Sequence, residues 1–116
     1  MTSLRASWRL GRAQRKRSRG DHFGVMNECS EALRLLGKPN VDRETPWCRA
    51  TASVALSAYC RAAHTCGREG ELLEMLERWR PTYLPWLVAP TTADEAKYLK
   101  WLEELVQSKR TGKPLG

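Results

Sequence analysis

The chain has 116 residues, 28% of them charged and 41% apolar, with a net charge of +7. That length supplies one modest core and not two, because a domain of this size buries roughly two-thirds of its unfolded surface. The longest uncharged run without proline, Ala50 to Cys60, is eleven residues, against about 20 for a bilayer, so no transmembrane span is expected. The apolar inventory is fifteen Leu and twelve Ala against five Val and no Ile. Leu and Ala favour helices and β-branched residues favour strands, which points to an all-α fold.

The first predicted helix runs from a cap at Thr2 or Ser3 to about Ser18, and Gly20 breaks it. Leu4 and Trp8, four residues apart, share a face and would dock its first two turns, leaving the Arg15–Arg19 end in solvent. Residues 1–20 hold Arg5, Arg9, Arg12, Arg15, Lys16, Arg17 and Arg19 and no acid. Residues 21–116 hold thirteen basic and thirteen acidic residues. All the excess charge therefore sits in one N-terminal segment, which attracts an anionic partner or serves as a solvated face. A secretory signal needs an apolar stretch after its basic start, whereas Arg12 to Gly20 is basic and polar. An acid-free, Arg-rich start also resembles a mitochondrial presequence, but no separate enzyme domain follows it. The expectation is a soluble cytoplasmic protein.

Asp21 is placed to cap a second helix over about 22–36, closed by Gly37 and Pro39. Met26, Cys29, Leu33 and Leu36 form its core-facing stripe. Residues 37–45 form a polar loop. Thr45-Pro46 opens a third helix, with a capping hydroxyl followed by proline at the first helical position. It runs to about Thr65, with Gly67 beyond. Arg49, Ser53, Ser57 and Arg61 make one narrow polar stripe on a helix otherwise rich in Ala and other apolar residues. A helix apolar over most of its circumference is surrounded by others, so 46–65 is the expected central helix.

The fourth helix covers about Glu69 to Arg80, with Leu72, Leu73, Leu76 and Trp79 buried, and Pro81 ends it. Residues 81–90 carry three prolines and no charge, which argues for an apolar loop. Thr92-Ala93-Asp94-Glu95 reads as a capping box for a fifth helix to about Lys109, with a stripe of Leu99, Leu102 and Val106. Trp8, Trp47, Trp79 and Trp101 are expected in the core. The domain plan is a basic N-terminal helix (1–20), a helical bundle body (21–110) and a flexible tail (111–116), together one compact bundle of about five helices.

Cys60, His64 and Cys66 read C-x3-H-x-C, but tetrahedral zinc needs four ligands. Cys48 lies twelve residues from Cys60, roughly 18 Å along the helix axis. Cys29 or His22 would have to arrive from the second helix. Buried free thiols explain the cysteines better, and without a secretory signal or a CxxC pair no disulfide or metal is expected. Cys60 with His64 lacks an orienting Asn or Asp and an oxyanion loop. The acids Glu69, Glu71, Glu74 and Glu77 have ordinary solvent spacing, and no phosphate-binding glycine loop occurs. Neither catalysis nor a cofactor is expected.

Two binding signals remain. Arg5, Arg9, Arg12, Lys16 and Arg19 recur at three or four residues and form a basic ridge on a helix, widened by Arg15 and Arg17. Arginine forks fit phosphates and carboxylates bidentately. Tyr83, Leu84, Trp86 and Leu87 either cover the open end of the core or form a protein-binding hot spot, since Trp and Tyr anchors dominate interface energies.

The basic segment resembles the arginine-rich helices by which phage antitermination peptides grip structured RNA. More broadly the chain resembles temperate-phage accessory proteins. It is short, richer in Arg than Lys (fourteen to six), and starts Leu-Arg-Ala-Ser-Trp-Arg-Leu-Gly-Arg-Ala-Gln-Arg-Lys-Arg. Within that group it is similar to the small anti-CRISPR proteins that counter type I systems. These share no common signature, so the resemblance transfers no functional residues. It implies stoichiometric inhibition in the bacterial host cytoplasm, by occupying a Cas protein with an acidic or mixed surface. The helicase–nuclease is favoured over Cascade. Anti-CRISPR DNA mimics are acidic and this chain is basic, so a DNA mimic is not expected. The alternative is a phage regulator that binds nucleic acid through its Arg-rich helix.

Overall fold

The computed structural model describes residues 2–39 and 41–112. Five helices follow in order: α1 (Thr2–Ser18), α2 (His22–Leu36), α3 (Pro46–Thr65), α4 (Glu69–Val88) and α5 (Ala93–Thr111). The expected all-α bundle is therefore found. The side chains of Thr2 and Ser3, one of which is the expected cap, and tail residues 113–116 lie outside the described residues, while Thr111 of the expected tail belongs to α5.

Local chemistry sets most boundaries. The Asp21 carboxylate accepts the Gly24 N–H at 2.9 Å, and Thr45 Oγ1 accepts the Cys48 N–H at 3.3 Å with Pro46 behind it. Thr92 Oγ1 accepts the Glu95 N–H at 3.0 Å. Each cap satisfies a donor that the first helical turn leaves unpaired. Gly67 and Gly112 take left-handed φ of +75° and +71°, a conformation glycine adopts without the Cβ clash.

Short connections make successive helices antiparallel, and α3 packs against all four others. The α1–α2 hairpin lies on one side of it and the α4–α5 hairpin on the other. Ala52, Ala55 and Ala63 are completely buried, so α3 presents little bulk to either hairpin. Three of the four residues of its polar stripe are shut off from solvent, and Arg61 is exposed. Arg49, Ser53 and Ser57 are buried; Ser53 Oγ returns its hydrogen to the Arg49 carbonyl at 2.8 Å, a back-bond that removes the need for solvent. Exposed residues on α3 include Trp47, Ala50, Val54, Arg61 and His64.

The largest correction concerns 81–90. Residues 81–88 continue α4 without a break, and Pro81 and Pro85 lie inside the helix. Both prolines are exposed, where carbonyls freed by the missing N–H groups can turn to water. Packing supplies what the backbone lacks. Leu72, Leu76, Trp79, Tyr83 and Trp86 form one continuous buried stripe along α4, so ending the helix at Arg80 would strip two aromatic side chains from the core.

The docking face of α1 also differs from expectation. Leu4 and Trp8 point outward, at 61% and 54% exposure. The helix packs on α2 through Ala6 and Ala13, which are buried, and through Arg9 and Lys16, which lie to one side of them around the helix and reach Glu28. Contact extends over its whole length and not only its first two turns. Trp47 is likewise half exposed, whereas Trp79 is buried and Trp101 packs partly against the core.

Candidate functional site

The N-terminal cations divide into two groups. Arg9, Arg12 and Lys16 converge on one carboxylate, Glu28 of α2, at 3.2, 3.3 and 3.1 Å. Glu28 is itself only 4% exposed. Burial pushes its carboxyl up, but hydrogen bonds from Lys16 and Arg9 and the surrounding positive charge outweigh this and hold it below the ordinary carboxylate value. The centre of the expected basic ridge is thus tied to the bundle. Arg5, Arg15, Arg17 and Arg19 are exposed and make no ion pair among the described residues.

The second half of the geometry follows from helical spacing. Leu4, Trp8 and Arg15 fall at i, i+4 and i+11, on one outward stripe, with Arg5 and Arg12 beside it and Arg19 in the turn that follows α1. The guanidinium groups of Arg9 and Arg12 stack on the Trp8 ring at 5.3 and 5.0 Å from its centre. That contact holds the indole in place while leaving much of it to solvent. Gly11 lies on the same stripe, and a Cβ added there would meet nothing within 4 Å. This outer face joins an apolar anchor, a flat gap and fixed positive charge.

The expected loop site has a different role. Tyr83 and Trp86 are buried in the core, and Leu84 and Leu87 are only partly exposed. Trp86 Nε1 donates to Glu44 at 3.0 Å, and the Arg49 guanidinium lies 5.5 Å from the ring centre. Arg49 donates to Glu95 at 2.8 Å and to the Trp86 and Ala89 carbonyls at 3.2 and 2.7 Å. It thereby collects the carbonyls at the end of α4 and fastens them to the start of α5. Tyr83 donates its hydroxyl to Glu103 at 3.3 Å; burial and that carboxylate push the phenol upward. These aromatics cover the end of the core, one of the two roles open to them.

Cys60 is buried and its thiol is pushed up to about 12 by burial and by nearby Cys29 and Glu69. His64, one turn away, points outward and pairs with Glu69 at 2.7 Å. Among the described residues no three His, Cys, Asp or Glu side chains are grouped to hold a metal ion, and the four cysteines are free thiols.

Glu28 and Arg49 are the residues that sequence reasoning missed, and both carried a signal. Glu28 lies on the buried stripe Val25, Ala32 and Leu35 of α2, and Arg49 on the buried stripe Ala52, Leu56 and Ala63 of α3. A charge inside an apolar stripe requires a partner. For Glu28 the nearest excess of cations was the preceding helix. The chain matches no protein-family model, no curated protein and no solved structure.

Proposed function

We propose that this chain is a non-catalytic, stoichiometric binding protein that resembles the anti-CRISPR proteins and inhibits a type I Cas effector in the bacterial cytoplasm, the helicase–nuclease ahead of Cascade. The observation that carries the binding role is the outer face of α1. Trp8 is more than half exposed, is stacked by Arg9 and Arg12, and shares its outward side of α1 with Leu4, Arg5 and Arg15. Tryptophan and arginine dominate interface hot spots, and an indole already held by its neighbours loses little freedom on binding. The partner class comes from the resemblance. The sign of the charge favours an acidic or mixed protein surface.

The test is co-purification with the helicase–nuclease and with Cascade, each with and without nuclease. A one-to-one complex that survives nuclease, and that Trp8→Ala weakens by about tenfold or more, supports this reading. Retention on neither partner rejects it. A second reading, nucleic-acid binding, rests on the exposed Arg5, Arg15, Arg17 and Arg19, which make no ion pair among the described residues. It requires affinity that falls steeply with salt, because phosphate contacts release counterions, and loss of retention after nuclease.

A further inference from the structure

On the opposite side of α1 from Trp8, a groove of about 520 Å³ opens between α1, α2, α3 and α5. Its volume falls in the range of small-ligand sites, about 300–1,000 Å³. Ala13, Val25, Ala58 and Ala62 line it, and small side chains there leave the space unfilled. Its chemistry is graded along its length. Since α1 and α3 run the same way, Leu10 lies level with Val54, and Tyr98 of α5 stands beside them, so that end is apolar. Arg17, His22, Arg61 and His64 gather at the other end, where α1 and α3 finish and α2 begins.

Among the described residues no acid lines the groove. Glu69 reaches its rim from α4, holding His64 at 2.7 Å. Asp94 lies in the adjoining depression with Arg61, Lys97, Tyr98 and Trp101. Arg17 makes no ion pair among the described residues, and Arg61 leans on the Trp101 ring at 5.9 Å. Both guanidinium groups therefore have donors to spare for an anion.

The geometry points to a binding site for a soluble amphiphilic anion, with an apolar tail toward Leu10 and Val54 and a carboxylate head at Arg17 and Arg61. This site is independent of the outer face of α1 and stands or falls without the Cas reading. The experiment is calorimetric titration of the full chain with dodecanoate below its micelle concentration. Butyrate and dodecyltrimethylammonium are the controls for tail and head. One-to-one binding of dodecanoate is expected, with much weaker binding of both controls. Arg17→Ala, Arg61→Ala and Val54→Asp are each expected to weaken it by about tenfold, the scale of one lost charge-assisted contact or one introduced repulsion. Residues 17, 54 and 61 are exposed, and circular dichroism checks that each variant stays folded. Equal binding of the cationic control, affinities that none of the three variants changes, or no dodecanoate binding would overturn the assignment. The last outcome includes the case in which only an acidic peptide occupies the groove.

Discussion

Two buried glutamates fasten this bundle, and they do so differently. Glu28 and Glu95 are each 4% exposed. Glu95 belongs to a closed set: Arg49, 8% exposed, on one oxygen, and the Thr91 backbone and hydroxyl on the other. Glu28 belongs to an open set of three cations that are 33%, 38% and 25% exposed. One carboxylate thus completes the core at the α4–α5 corner. The other pins a helix that carries more charge than it neutralises. Burial of the acid alone does not distinguish them; the exposure of their partners does. The closed set is shut off from water, and the open set leaves charge facing solvent.

The largest expected effect lies in the closed set. Glu95→Ala leaves Arg49 buried without its counter-ion, and removing one partner of such a pair costs about 3–5 kcal/mol. Denaturant unfolding measures this. The double change Arg49→Met with Glu95→Leu removes both charges and should recover most of the loss. If Glu95→Ala costs under about 1 kcal/mol, the pair is as weak as a surface ion pair, and the contrast with Glu28 disappears.

The Glu28 set should give less, since solvent screens its partners. Glu28→Gln is expected to cost about 1–2 kcal/mol, and added salt should reduce the loss by screening the three cations. Its acid dependence has a definite sign. The folded carboxyl sits below its ordinary value of 4.5. Its stabilisation is therefore complete above that pH and is lost as pH falls through the lower folded value. Wild-type stability should decline below about pH 4.5 more steeply than that of Glu28→Gln. Parallel curves would show that Glu28 contributes nothing through its charge.

These two sites also show what the sequence made legible. The caps at Asp21, Thr45-Pro46 and Thr92 were readable because capping is local chemistry within three or four residues. The central place of α3 was readable from its small apolar residues. α4 was misread because proline is a strong local signal against a helix, while the opposing signal was distributed. Leu72, Leu76, Trp79, Tyr83 and Trp86 step by four, three, four and three straight through Pro81 and Pro85. At the candidate site, the basic segment was plain in composition. Which cations stay free was not, because Glu28 selects among them from another helix. Trp8 was read as core for a related reason. An apolar pair at helical spacing marks a face and does not say which way that face points.

The prolines of α4 give a smaller effect that tests the packing argument. Pro85→Ala restores an N–H donor and removes an exposed ring. The wild-type chain gains some advantage from the stiffness proline gives its unfolded state. A net stabilisation of about 1 kcal/mol is expected by thermal unfolding. A loss of stability would mean that the proline ring fixes the path of α4, so that buried aromatics alone do not hold the helix.

The smallest effect on stability is expected on the outer face of α1, where the effect on binding should be largest. Trp8→Ala removes a side chain that is 54% exposed, so stability should change by about 0.5 kcal/mol or less. Gly11→Ala, with open space at its Cβ, should gain about 0.5–1 kcal/mol by helix propensity. If the face binds a partner closely, both changes weaken the complex although one leaves the fold unaltered and the other strengthens it. Thermal unfolding and partner retention measured on the same two proteins separate these quantities. A Trp8→Ala variant that loses several kcal/mol of stability would move Trp8 from the binding surface to the support of α1, and the open set around Glu28 would then be as structural as the closed one.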